Sequence, residues 1–224
     1  MAITIQNYEE LTVALDEDTQ WRKKEIVDMR TTCFMPNCPP SILRSAFVLC
    51  CAHFEGSIKF SSNAYVAFIS GQELKHADLR TEISALIIKK QKHVLFGLHD
   101  TKKVKVSVVS DILQTYLNLL EAKFFMKITD NDPPITTQGN PTSEILEEIC
   151  NILGISYADV FELRAPFINS ELLKPRNQVA HGERRPITKE ELSEVALFVT
   201  EIMDAYKEEI LKAAFNNLHL KNSL

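Results

Sequence analysis

The chain has 224 residues, 45% of them apolar and 25% charged, with a formal net charge of −5. That is enough apolar material for one large or two small domains with a real core, and it places the chain in the soluble, globular class. No apolar run reaches the roughly 18 residues that would span a bilayer, and the opening "MAITIQNYEELTVALDEDTQ" is too acidic for a signal or transit peptide, so no membrane association and a cytoplasmic location are expected.

The first element predicted is a helix from Tyr8 to about Thr32. Cys33 and Cys38 follow it with no second pair at metal-ligand spacing, so neither a zinc site nor any other metal or cofactor is expected. A long helix is predicted from about Ser41 to Ser70, after "PNCPP" and before Gly71, burying Leu43, Phe47, Cys50, Phe54, Ile58, Tyr65 and Phe68. Cys50 and Cys51 are adjacent within it and behave as small apolar residues; five cysteines in all, an odd number, point to reduced thiols.

"HADLRTEISALIIKKQKHVLF" also reads as helix. "KVKVSVVS" has strand-like alternation but runs into the helical spacing of "DILQTYLNLLEAKFF", which predicts a helix with an extended start. The one obvious loop is 129–141, rich in Asp, Asn, Pro and Gly. After it, Asn140 is expected to cap a helix with Pro141 at its first position, Ile145, Ile149, Ile152 and Leu153 on one face, and Gly154 at its end. The clearest helix is the last, where a Thr188/Glu191 capping box starts a stripe of Leu192, Val195, Ala196, Val199, Ile202, Met203, Tyr206 and Ile210. Neither side of the loop holds its own full set of core helices, so residues 1–224 are expected to form one all-α domain.

Before that last helix, "FINSELLKPRNQVAHGERRP" predicts a helical stretch from about Ile168, an interruption at Pro175, and two turns closed by Gly182. Arg176 and His181 are five residues apart, about 140° around a helix, so they flank a groove. Pro175 would set Arg176 in a first helical turn, where free backbone N–H groups favour a phosphate. Asn177 stands four residues before His181, where its amide reaches an imidazole nitrogen and fixes the tautomer. Lys174, Arg176, Arg184, Arg185 and Lys189 crowd around a single acid, Glu183. A local cationic patch on an acidic protein suggests an anionic ligand gripped at one place. Lys89, Lys90, Lys92, Lys102, Lys103 and Lys105 either extend that surface or form a solvated helix end and loop.

Arg-x4-His in the form "RNQVAHG", ahead of a capped C-terminal helix, resembles the signature of the HEPN superfamily (higher eukaryotes and prokaryotes nucleotide-binding). "WRKKEI", the Glu-Gly pair in "RSAFVLCCAHFEGSIKF", and "ITTQGNPTSEILEEICNILGI" extend the likeness over most of the chain, toward the bacterial branch related to the RiboL-PSP group. The resemblance implies an up-and-down helical bundle with additional helices. It also implies metal-independent RNA cleavage by a homodimer whose two motifs share one cleft, in a toxin or phage-defence effector with a possible antitoxin or defence partner. His181 would move the proton, Arg176 would hold the phosphorane charge, and Asn177 would orient the imidazole. Lys174, Arg184, Arg185 and Lys189 would bind the RNA backbone. Glu55 would line the cleft or hold Arg176; the alternative is an ion pair with Lys59 one turn away. The alternative implied is a noncatalytic RNA-, nucleotide- or partner-binding module.

Overall fold

The computed structural model describes residues 2–90 and 105–221. Lys92, Lys102 and Lys103, and the ends of the two predicted helices on either side of them, lie outside the described residues. Three long helices make the scaffold: α1 (Tyr8–Phe34), α2 (Pro40–Gly71) and the C-terminal Lys189–Phe215 helix, each packed on both of the others. Asn7 caps α1 by accepting from the Glu10 N–H (2.9 Å), and Pro40 occupies the start of α2, where a missing N–H costs nothing.

The expected stripe of α2 is buried at all seven positions, with Phe54 and Ile58 fully enclosed. Burial of this helix exceeds one stripe: from Ser61 to Ile69 every residue is buried, as for a helix surrounded by others. Cys33, Cys50, Cys51 and Cys150 are buried too, and all five cysteines are free. Burial raises the Cys50 and Cys150 thiols, each to about 12, so these sulfurs pack as apolar groups.

Shorter elements wrap this scaffold. A helix α3 (Thr81–Lys90) is followed by α4 (Val106–Leu119), which starts in the middle of the strand-like stretch, with Lys105 extended before it. Two short strands, β1 (Ala2–Ile3) and β2 (Ile128–Thr129), pair antiparallel with Ile3 opposite Ile128. Helix α5 (Ser143–Leu153) begins later than expected. Thr142 occupies its N-cap, while Pro141 is buried ahead of the helix and the Asn140 amide oxygen is buried without a partner. Its buried face is Leu146, Ile149, Cys150 and Leu153; Ile145 and Ile152 are only half-buried. Gly154 ends it at φ 72°, as a C′ glycine should.

After α6 (Tyr157–Val160) and a 3-10 turn (Glu162–Arg164), the chain enters one helical run over 165–180. It consists of α7 (Ala165–Phe167), a π-helical stretch (Ile168–Leu173) and α8 (Lys174–Ala180). The last helix, α9 (Lys189–Phe215), carries the reciprocal Thr188/Glu191 capping box, and its whole predicted stripe is buried.

Candidate functional site

Pro175 does not interrupt the helix that bears the motif. Proline lacks an N–H and its ring collides with the carbonyl four residues back, so an α-helix would break here. The chain widens instead: the Lys174 N–H donates to the Asn169 carbonyl, five residues earlier, and the π turn admits the proline. Arg176 therefore lies inside a continuous helical run, not in a free first turn with exposed N–H groups. The Cys51 thiol of α2 reaches the Leu172 carbonyl (3.7 Å), and Leu172 and Leu173 are buried, anchoring the wide turn to the scaffold.

The other end of α8 closes as a Schellman motif. The Gly182 N–H donates to the Val179 carbonyl and the Glu183 N–H to the Gln178 carbonyl, with Gly182 at φ 82°. Arg44 of α2 donates from Nη2 to the Glu183 carbonyl (2.7 Å), tying the reversed chain back to the scaffold. His181 stands at the helix C-terminus, exposed, and no described residue hydrogen-bonds its ring.

Arg176 is held on two sides. Its Nη2 lies 3.6 Å from Glu55 Oε2, and its Nη1 donates to Asn177 Oδ1 at 2.9 Å. Thr137, buried in the 129–141 loop, donates to Glu55 Oε1 at 2.6 Å, so each carboxylate oxygen has its own partner. The loop is packed against α2: Asn63 accepts from the Ile135 N–H and donates to the Ile135 carbonyl. Glu55 thus faces Arg176 and Thr137 rather than Lys59. Asn177 faces Arg176, and the expected amide bond to the imidazole is not formed.

Of the predicted backbone-binding cations, Lys174 and Arg184 are exposed without a described ion-pair partner. Arg185 pairs with Glu191, and Lys189 turns to the Phe34 and Met35 carbonyls at the end of α1. Lys90 is spent on Asp132. Among the described residues no group of three or more His, Cys, Asp and Glu side chains is set to hold a metal ion.

An open groove of about 560 Å³ runs between α2 and α8, floored by Val48, Ala52, Val179 and Ala180 with Arg44 at its side. Leu49, an exposed apolar side chain, also lines it. Two participants escaped the sequence reading. Thr137 gave no signal beyond loop composition. Arg44 did give one: it precedes Glu55 by eleven residues, about 20° around the helix, and so shares its face.

An all-helical bundle presenting Arg-x4-His from a short helix at its edge defines the class. A family model described as RiboL-PSP-HEPN matches residues 17–212, and the chain belongs to that family. No curated protein and no solved structure matches it. Among the described residues no helix is long and apolar enough to cross a membrane.

Proposed function

We propose that this HEPN protein is a metal-independent endoribonuclease of the cytoplasm, acting as a toxin or phage-defence effector. The observation that carries the reading is the division of labour within α8. Arg176 is fixed in direction by Glu55 and Asn177, while His181, five residues on, keeps an exposed ring with both nitrogens available. A fixed guanidinium suits the charge that builds on a phosphorane, and an imidazole suits proton transfer near neutral pH. The RNA 2′-hydroxyl loses its proton to one imidazole and attacks the adjacent phosphorus; the 5′-oxygen of the next nucleotide leaves, taking a proton, and a 2′,3′-cyclic phosphate remains.

One imidazole serves both oxygens poorly, and a homodimer that brings two motifs together supplies a base and an acid. The groove beside α8, with the exposed Leu49 in its wall, supports such a contact, since it borders the motif helix at Val179 and Ala180. Lys174 and Arg184 remain free to meet the RNA backbone. A second reading, a noncatalytic RNA- or partner-binding module, is favoured by one specific observation: Glu55 already neutralises Arg176.

The two readings separate on expression. A ribonuclease made without its antitoxin or defence partner is toxic, and His181→Ala relieves the toxicity. Purified protein should cut RNA in EDTA, leaving cyclic phosphate ends, and sediment as a dimer at micromolar concentration. Harmless expression with RNA bound but intact would establish the second reading.

A further inference from the structure

His181 is the C-cap of α8, so the place of its ring is set by the place of the helix end. That end is weakly rooted. The last buried residue before it is Pro175 and the next after it is Ile187, while residues 180–184 are all exposed. A Schellman end is commonly sealed by an apolar contact from the residue two past the C-cap back to the third or fourth residue before it. Here the former is Glu183 and the latter are Gln178 and Asn177, all polar, so the reversal lacks that seal.

Arg44 stands in its place. Its Nη2 donates to the Glu183 carbonyl at 2.7 Å, across 139 positions of sequence. Among the described residues no other hydrogen bond or ion pair reaches residues 177–184 from outside 165–188. The tether is not an efficient stabiliser of the fold. Arg44 is half-buried, and its Nε is enclosed with no hydrogen-bond partner among the described residues, a state that opposes folding.

The foundation of the tether is firm, because Leu43, Ala46 and Phe47 beside it on α2 are buried. Glu55 shares the face of Arg44 on that helix and takes Arg176. One packed helix thus grips the motif twice, at the Arg176 guanidinium and at the carbonyl two residues past His181.

We propose that Arg44 is a positioning residue for RNA cleavage: by holding the Glu183 carbonyl it fixes where the His181 imidazole stands relative to Arg176. The proposal rests on the ribonuclease reading for its reaction, but half of its test needs no cleavage. Hydrogen exchange of the full chain comes first. In Arg44→Ala the amides of His181, Gly182 and Glu183, which donate to the Asn177, Val179 and Gln178 carbonyls, should exchange several-fold faster than in the parent. Those of the π-helical stretch Ile168–Leu173 and of α9 should be unchanged.

Cleavage follows. A misplacement of about 1 Å lowers a rate by roughly 100-fold, so Arg44→Ala should reduce kcat by roughly 10- to 100-fold with KM little changed. Arg44→Lys, which still presents a donor to the carbonyl, should recover most of the rate. In the His181→Ala background Arg44→Ala should add little, because a group that acts through the imidazole has nothing left to place.

Loosening confined to 181–183 in a protein that never cuts RNA would sustain the tether and overturn only the ribonuclease reading. His181-dependent cleavage at the parental rate in Arg44→Ala would overturn the positioning role alone. Unchanged exchange at those amides, faster exchange throughout the chain, or Arg44→Lys as slow as Arg44→Ala would overturn it as well. So would a raised KM at unchanged kcat or a full further loss in the double variant, the marks of an arginine that grips RNA itself.

Discussion

The scaffold of α1, α2 and α9 and the arm over 165–183 solve opposite problems. In the scaffold, side chains fix the backbone: Phe54, Ile58, Val199 and Tyr206 are fully enclosed, and Tyr206 shares a buried 2.7 Å hydrogen bond with Ser62. In the arm, backbone devices fix a few side chains. A π turn accommodates Pro175 at one end, a Schellman reversal closes the other, and Arg44, Cys51 and Glu55 of α2 reach across to it. Ile168, Leu172 and Leu173 root the arm in the core, while its far end is tied back by the single Arg44 contact, which leaves His181 exposed at its tip. The proposed chemistry therefore sits at the least buried end of the arm, away from the residues that carry most of the stability.

Substitution should separate the regions most sharply at Phe54. Phe54→Ala removes a fully buried ring from α2 and should lower unfolding free energy by about 3–5 kcal/mol in urea titrations, whereas His181→Ala should change it by less than about 0.5 kcal/mol. Comparable losses at both positions would erase the distinction.

Acid should attack the scaffold and the segments packed on it before the arm. His219 is buried beside Tyr65 and Phe68, and burial pushes its pKa down from the usual 6.5 to about 4. His76 is lowered by burial, and His53 is lowered mainly by burial, against the opposing pull of Glu25. These rings are held neutral in the fold and gain a proton on unfolding. The His219 contribution is complete above about pH 6.5 and is lost as pH falls toward 4; His76 and His53 act in the same direction. For His219 alone the loss is about 2 kcal/mol by pH 5. Denaturation midpoints should drop over that window, and His219→Gln should flatten the slope.

A smaller effect tests the seam between the regions. Thr137→Val deletes the hydroxyl that donates to Glu55, at about 1–2 kcal/mol, and loosens the carboxylate that faces Arg176. Calorimetric unfolding should register the first consequence. RNA affinity, measured at several salt concentrations, should register the second.

The same contrast governs what could be read from the residues alone. The buried stripes of α2 and α9 follow from period 3.6 and a capping box, which are local signals. Family membership was legible as well, from the order of several short segments. The arm was less so. A π turn has no sequence period of its own, so Pro175 reads as a break until the turn is seen. The partner of Asn177 is a choice between an adjacent guanidinium and an imidazole one turn on, and spacing alone favoured the wrong one. Glu55 had two candidate partners; the one it faces is 121 positions away in sequence, and the loop that supplies Thr137 offered only turn residues. Asn140 failed as a cap because the packed loop carries Pro141 into the interior and the helix starts at Ser143.

The most direct test is the rate of RNA cleavage in EDTA by the parent, His181→Ala and Arg176→Ala, each paired with its melting temperature. The prediction is a roughly 100- to 10,000-fold loss for His181→Ala with its melting temperature unchanged, a large loss for Arg176→Ala, and 2′,3′-cyclic phosphate ends from the parent. Cleavage by His181→Ala at the parental rate, or activity abolished by EDTA, would contradict it.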